Sequence, residues 1–448
     1  MAIIYNFLKN VWSNLLNESK TNISFLPLVL LMVTIPLQLG INNVFLGLFI
    51  ISVLLNKNKT KSHFSLVLLL PILLFLWMVL SYFWSIDPIR TLNSIPREIA
   101  LLLIPFAFLF VSFSKSEKTK AISIYSYAMV LFVVYYLVRA IIRYITTQDS
   151  SVFFYHGENE DDYGLVPKLL NAIHLSVFVA IAFFYFFTQE IKSKLNIALT
   201  LLLFAFIILL SSKNIILVVI ILILVQLFFY SKIANKMRLR NLIVMLIICG
   251  LVLSFGKIKE RFQVEFQTNT TKSISNNVIN GVPEGVYNIS INEAWNNAKF
   301  TPNDFFNGTA FRVYQARLFL EFLNEEPIFW KGFGLNASLV KMEEKGKKYN
   351  VFLGDNSQEG YQKKNFHNQY IQNFAELGVV GFLILIIILS LNIKNAIKSK
   401  DFVHIAFAIL MISLFLTESF LWRQRGVLFF MIFYCLFNTM NQSIIEKK

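Results

Sequence analysis

Long apolar runs, each ended after roughly 15 to 25 residues by a short break that usually holds lysine, constrain this chain more than any motif does. About 20 such residues carry a helix across the hydrocarbon core of a bilayer, where every backbone group must bond within its own segment. The runs fall at 23–39, 41–55, 64–83, 98–113, 121–143, 169–188, 195–210, 214–230, 240–255, 370–391, 402–418 and 426–440. They predict an all-α polytopic membrane protein of about 12 transmembrane helices. With 56% hydrophobic and only 15% charged residues, a soluble domain of 448 residues could not hide its apolar surface. Three segments follow: helices 1–9 over residues 1–255, one long polar segment over 256–368, and helices 10–12 over 369–448.

The net charge of +15 reads as topology rather than as a nucleic-acid footprint. Lys9, Lys20, Lys57, Lys59, Lys61, Lys115, Lys118, Lys120, Lys192 and Lys194 fall at every second break. So do Lys232, Lys236, Arg238, Arg240, Lys394, Lys398, Lys400, Lys447 and Lys448. By the positive-inside rule that side is cytoplasmic, so both termini are inside and the long polar segment is outside. Met1–Lys20 lacks a small-residue cleavage site and is expected to be retained. Cys249 and Cys435 lie within apolar runs and imply neither a disulfide framework nor a zinc site.

The outer side nevertheless carries cations that topology does not require: Arg90, Arg97, Lys168, Lys213, Arg423 and Arg425, with Arg139 and Arg143 on the outer turn of the fifth span. Cations facing lipid are costly unless they snorkel to lipid phosphates, so this set points to a water-filled cavity for a large anionic ligand. The run Glu158-Asn159-Glu160-Asp161-Asp162 lacks the glycine-punctuated spacing of a calcium loop and reads as a solvated face, with no metal site. His174, in the sixth span, suits a packing histidine and a ligand contact equally.

Residues 256–308 read as irregular. Then Asn307 or Thr309 caps an amphipathic helix near 309–324 whose apolar positions Phe311, Tyr314, Leu318, Phe319 and Phe322 recur at helical spacing, and which stops before Pro327. Arg312 sits in its first turn. Arg317 and Glu321 are spaced to pair along it. Gly332 and Gly334 make a tight turn, and the Lys-rich stretch that follows reads as mobile. Asn368 is a candidate N-cap of the tenth span, which sets His367 at the membrane surface just ahead of a helix N-terminus. Glu376, about two and a half turns below, faces a neighbouring arginine or takes a catalytic part.

Arg312, Pro327, Gly332-Phe333-Gly334, His367-Asn368-Gln369-Tyr370, Glu376-Leu377-Gly378 and Gly381, in this order and around one long outer segment, resemble the signature of the O-antigen ligase and polymerase superfamily. Ser81-Tyr82-Phe83-Trp84-Ser85 at the end of the third span extends the resemblance. It implies a metal-independent, GT-C-like membrane glycosyltransferase that moves a glycan from undecaprenyl pyrophosphate to an acceptor hydroxyl at the outer face of the inner membrane. No cofactor and no nucleic acid are implied. Acceptors in such a family are lipid A-core (ligase), the next lipid-linked repeat (polymerase) or a protein hydroxyl; a lipid-linked sugar transporter is the non-enzymatic alternative. Two departures stand out. Lys213 occupies the position where the family often has arginine, and the turn after Pro327 is two residues longer than usual.

Arginine stabilises a pyrophosphate leaving group by bidentate, charge-assisted hydrogen bonds. The resemblance makes Arg312 the first choice for that role, with Lys213, Arg139, Arg143, Arg317, Arg423 and Arg425 as the surrounding cradle and Asn368 and Glu376 in support. His367 is then either the base for the acceptor hydroxyl or a phosphate ligand.

Overall fold

The computed structural model describes residues 15–56, 65–154, 164–189, 193–231, 287–355 and 359–439, with Ser13, Ile243, Ile247 and Gly250. Before the outer segment come α1 (Phe25–Val33), α2 (Leu39–Leu55), α3 (Leu66–Leu80), α4 (Pro88–Glu98), α5 (Ala100–Phe110), α6 (Lys115–Thr147), α7 (Ala172–Phe187), α8 (Lys194–Leu209) and α9 (Lys213–Val225). The outer segment holds β1 (Tyr287–Ile289), α10 (Ile291–Asn296), β2 (Asp304–Phe306), α11 (Gly308–Glu325) and α12 (Ser338–Lys348). Then come α13 (Gln369–Ser399), α14 (Phe402–Phe415) and α15 (Gln424–Asn438).

Five stretches are long and apolar enough to cross a membrane: Leu66–Trp84, Pro88–Phe110, Lys115–Thr147, Lys213–Tyr230 and Gln369–Ser399. The other apolar helices, such as α7 with 16 residues, reach about 24 Å at 1.5 Å per residue, short of the ~30 Å hydrocarbon core. The run expected at 23–39 breaks after Val33, where the chain turns towards Pro36, which has no backbone donor to continue a helix. The connection expected between the third and fourth spans is instead α4. Pro88 starts it, and the Asp87 side chain accepts from the Arg90 N–H at 3.0 Å. The run at 240–255 and the acidic run 158–162 lie outside the described residues, but for three positions of the former.

Helices α7 and α15 are buried along nearly their whole length and form the centre of the bundle. Helices α3 and α6 instead turn Leu66, Leu69, Leu73 and Leu76, and Leu131, Val138, Ile142 and Ile145, outward at helical spacing. Such continuous apolar faces suit lipid and not water.

Above the bundle a second, smaller core gathers Phe306, Phe311, Tyr314, Phe322, Met342, Phe352, Tyr361 and Phe366. Two expectations are corrected there. Residues 287–306 are not irregular: β1 and β2 pair in parallel across α10. The Lys-rich stretch is not mobile: it is α12, packed through Leu339 and Met342, with Lys345 bonded to Glu321 and Glu325 at 2.6 and 2.8 Å.

Candidate functional site

The glycine turn after α11 is inserted into α13. Gly332 and Gly334 take φ of +71° and +97°, and Gly378 in α13 has φ +67°, ψ −169°. The Phe333 and Gly334 N–H groups donate to the carbonyls of Ala375 and Glu376, both at 2.8 Å, and the Val379 N–H donates to Phe329 O at 2.8 Å. Carbonyls that would continue the helix are thus taken by the turn, and α13 kinks where they leave the ladder. A Cβ on Gly332 would stand 2.2 Å from the Glu376 carbonyl carbon, so the approach requires glycine. The 81–85 segment closes the same clasp: Ser81 Oγ accepts from the Leu335 N–H at 3.0 Å, and Trp84 Nε1 donates to Lys331 O at 2.8 Å. Three separated sequence motifs therefore make one joint. Glu376 accepts from Ser338 Oγ at 3.1 Å, from Gln372 and from the Asn336 N–H. Its partners are neutral donors rather than a neighbouring arginine.

Beyond the clasp, side chains from three helices converge on the connection between α14 and α15. Arg312, in the first turn of α11, donates from Nε and Nη2 to Thr417 O at 3.0 and 2.8 Å, and from Nη1 to Gly308 O at 2.7 Å. Asn307 supplies the cap that starts α11 there: its Oδ1 accepts from Thr309 N and Ala310 N. Asn214, next to Lys213 at the start of α9, donates to Thr417 Oγ1 at 2.8 Å. Asn368 caps α13, accepting from the Ile371 N–H at 3.0 Å, and donates to Leu416 O at 3.1 Å.

His367 is half-buried rather than lying on the surface, with φ +46° and its ring edge-on to Phe311 at 5.6 Å. Its Nδ1 lies 2.9 Å from Asn365 O. A carbonyl only accepts, so Nδ1 carries the hydrogen and Nε2 the lone pair. Burial pushes the imidazole below its ordinary value; the charge of Glu418 opposes this, and Arg312 and Lys364 add to it. These influences favour the neutral ring, with the Nε2 lone pair in the field of Arg312.

Glu418, 4% exposed, is the residue that sequence reasoning missed. It closes the apolar run 402–418 and reads as the end of a span. The available signal is a carboxylate in a connection otherwise marked by Arg423 and Arg425.

Arg425 extends the same pattern. Its guanidinium donates to Ile35 O, Leu37 O and Leu169 O at 3.1, 2.9 and 2.9 Å, which ties the α1–α2 turn and the approach to α7 to the start of α15. Arg423 is exposed beside it, and the His174 ring lies 4.4 Å from Phe420 in the same connection. Arg143, on α6, donates to Gly164 O at 3.2 Å. Arg139 stands one turn earlier, next to Tyr136, which interacts with Arg425.

Arg317 lies elsewhere. Five residues after Arg312, it points about 140° around the helix. It pairs with Glu321 at 2.9 Å, donates to Asn297 O at 2.7 Å and covers the Tyr349 ring. Arg90 likewise pairs with Asp87 and Glu343, at 3.1 and 3.0 Å.

No curated protein matches the chain. Residues 198–386, which include Lys213, Arg312, the glycine turn, His367 and Glu376, match the family model described as O-antigen ligase. This match and the motifs that meet in the clasp support the O-antigen ligase and polymerase superfamily over that part of the chain.

Proposed function

We propose that this protein is a GT-C-like membrane glycosyltransferase of about 12 spans. It moves a glycan from an undecaprenyl-pyrophosphate donor to an acceptor hydroxyl at the periplasmic face of the inner membrane. The observation that carries the reading is His367: Nδ1 is committed to Asn365 O, so Nε2 presents a lone pair next to the carbonyl-held Arg312.

In this reading the acceptor oxygen attacks the anomeric carbon and its proton passes to His367 Nε2. The bond from that carbon to the pyrophosphate oxygen breaks, and undecaprenyl pyrophosphate leaves with the electron pair. Attack opposite the leaving group inverts the anomeric centre. Arg312 stabilises the charge that develops on the pyrophosphate, and Lys213, Arg139, Arg143, Arg423 and Arg425 supply the positive field around it. Thr417 O and Gly308 O orient the Arg312 guanidinium. Arg317, paired with Glu321, keeps α11 in place.

We take the acceptor to be lipid A-core, in line with the ligase description of the matching family model. Deletion of the gene followed by gel analysis of surface glycan tests this. Full-length chains left on undecaprenyl and absent from core are the expected result. Core bearing a single repeat would make the protein a polymerase instead, and intact surface glycan with unglycosylated proteins would make it a protein O-glycosyltransferase.

A further inference from the structure

The first two turns of α13 carry a polar stripe, Gln369, Gln372, Asn373 and Glu376, all 3% exposed or less. Buried amides in an apolar bundle are costly unless bonded, so their partners define what the stripe is for. Gln369 accepts from the Leu421 N–H at 2.7 Å and donates to Asn373 at 2.7 Å. Gln372 reaches further. Its Oε1 accepts from the Phe366 N–H at 3.1 Å and from Ser419 Oγ at 3.2 Å, while its Nε2 donates to Glu376. Phe366 directly precedes His367, Ser419 directly follows Glu418, and Glu376 is the carboxylate of the glycine clasp.

We infer that Gln372 is a positioning residue, a single buried amide that fixes the His367 turn against the Thr417–Glu418 connection and anchors both to the clasp. The inference rests on the reading of His367 as the base. Gln372 touches neither donor nor acceptor; it acts through the backbone of Phe366. His367 takes a left-handed conformation, its N–H donating to Asn365 Oδ1 at 3.0 Å; Gln315 donates to Asn365 O, and Asn368 to Leu416 O, so Gln372 adds the tie through Phe366 to Ser419 and the clasp. Misplacing a reacting group by about 1 Å costs about 10²-fold in rate.

The test uses full-length protein in nanodiscs, with a synthetic lipid-pyrophosphate glycan as donor, and follows kcat, donor affinity, thermal stability and the pH profile. Gln372→Leu is expected to lower kcat by about 10²-fold with donor affinity within about threefold. The charged groups facing His367 are Glu418, Arg312 and Lys364, and burial is the largest influence lowering its pKa. A loosened turn admits water, so the acid limb of the rate profile should move to higher pH, towards the ordinary imidazole range. A variant that merely folded poorly would lose active protein without moving that limb.

The exchange Gln372→Glu with Glu376→Gln restores the link with donor and acceptor reversed: a carboxylate at 372 still accepts from Phe366 and Ser419, and an amide at 376 donates to it. This double variant should recover to within about tenfold of the native rate. A native rate and profile for Gln372→Leu would overturn the inference and leave the His367 reading intact. Should Gln372→Leu fail to fold, the exchange decides: a double variant of native stability that stays at a rate about 10²-fold low overturns it. His367→Ala in parallel separates the two levels, since transfer that persists there removes the base reading and the inference with it.

Discussion

Two basic regions flank α11 and hold their cations in opposite ways. Around the α14–α15 connection, Arg312 and Arg425 make their hydrogen bonds to backbone carbonyls of Thr417, Gly308, Ile35, Leu37 and Leu169. Across the helix, Arg317, Lys341 and Lys345 pair with Glu321, Glu326, Glu344 and Glu325. A carbonyl fixes a guanidinium's geometry and leaves its charge in the field; a carboxylate fixes it and cancels the charge. The guanidinium forks aimed at the α14–α15 connection suit the proposed anion site, and the carboxylate pairs suit a strut between α11 and α12. Residue type alone does not separate the two, because all are cations on the same side of the chain.

The contrast breaks most visibly at the reacting groups. His367→Ala should lower transfer by about 10² to 10⁴-fold, the range for removing a general base, with donor binding nearly intact. Arg312→Ala should lower both transfer and donor binding. Arg312→Lys keeps the charge and loses the fork, and should still cost on the order of 10²-fold. Steady-state transfer together with donor affinity in nanodiscs measures both. A loss of donor binding in His367→Ala as large as that in Arg312→Ala would make His367 a phosphate ligand and leave the acceptor without a base.

A smaller effect is expected at Glu418. Its negative charge holds the His367 pKa up against burial, Arg312 and Lys364. Glu418→Gln removes that opposition, so the imidazole should titrate lower and the acid limb of kcat/KM should move to lower pH. A limb that stays put would mean that the group limiting transfer on the acid side is not His367.

Much of this was readable before any coordinates. Helices α2, α5, α7, α8, α14 and α15 start within three residues of the runs that announce them, because an apolar stretch ended by charge has few alternatives in a bilayer. Asn307 and Asn368 cap where their position ahead of an apolar pattern says they should. What stayed hidden depends on partners far away in the chain. α12 reads as a loose lysine run until Glu321 and Glu325 of α11 stand opposite it. The division between Arg312 and Arg317 turns on which backbone carbonyls fall within reach at helix ends, and a one-letter sequence does not encode carbonyl positions. Glu418 was invisible for a related reason: it becomes part of a site only when α11 and the start of α13 bring Arg312 and His367 beside it.

The smallest effect belongs to the strut, and it sharpens the contrast from the other side. Burial works against the Glu321 carboxylate, yet hydrogen bonds from Lys345, Tyr349 and Arg317 hold its pKa below the usual value of 4.5. A carboxyl with a lowered folded-state pKa contributes stability that is fully present above its unfolded value and is lost as pH falls through its folded value. Glu321→Gln removes this contribution. Thermal unfolding of the variant should therefore begin at a lower temperature at neutral pH and fall less steeply between about pH 5 and pH 3. The exchange removes a carboxylate from Arg317 and leaves Lys345 paired with Glu325 alone, about 12 to 15 Å along and across α11 from the reacting groups if the helix keeps its 1.5 Å rise and ~10 Å width. At that range aqueous screening leaves little of the added charge to act on His367, and transfer should stay within about twofold of native. A variant that lost activity as severely as Arg312→Lys would show that the two faces of α11 are not divided into field and strut.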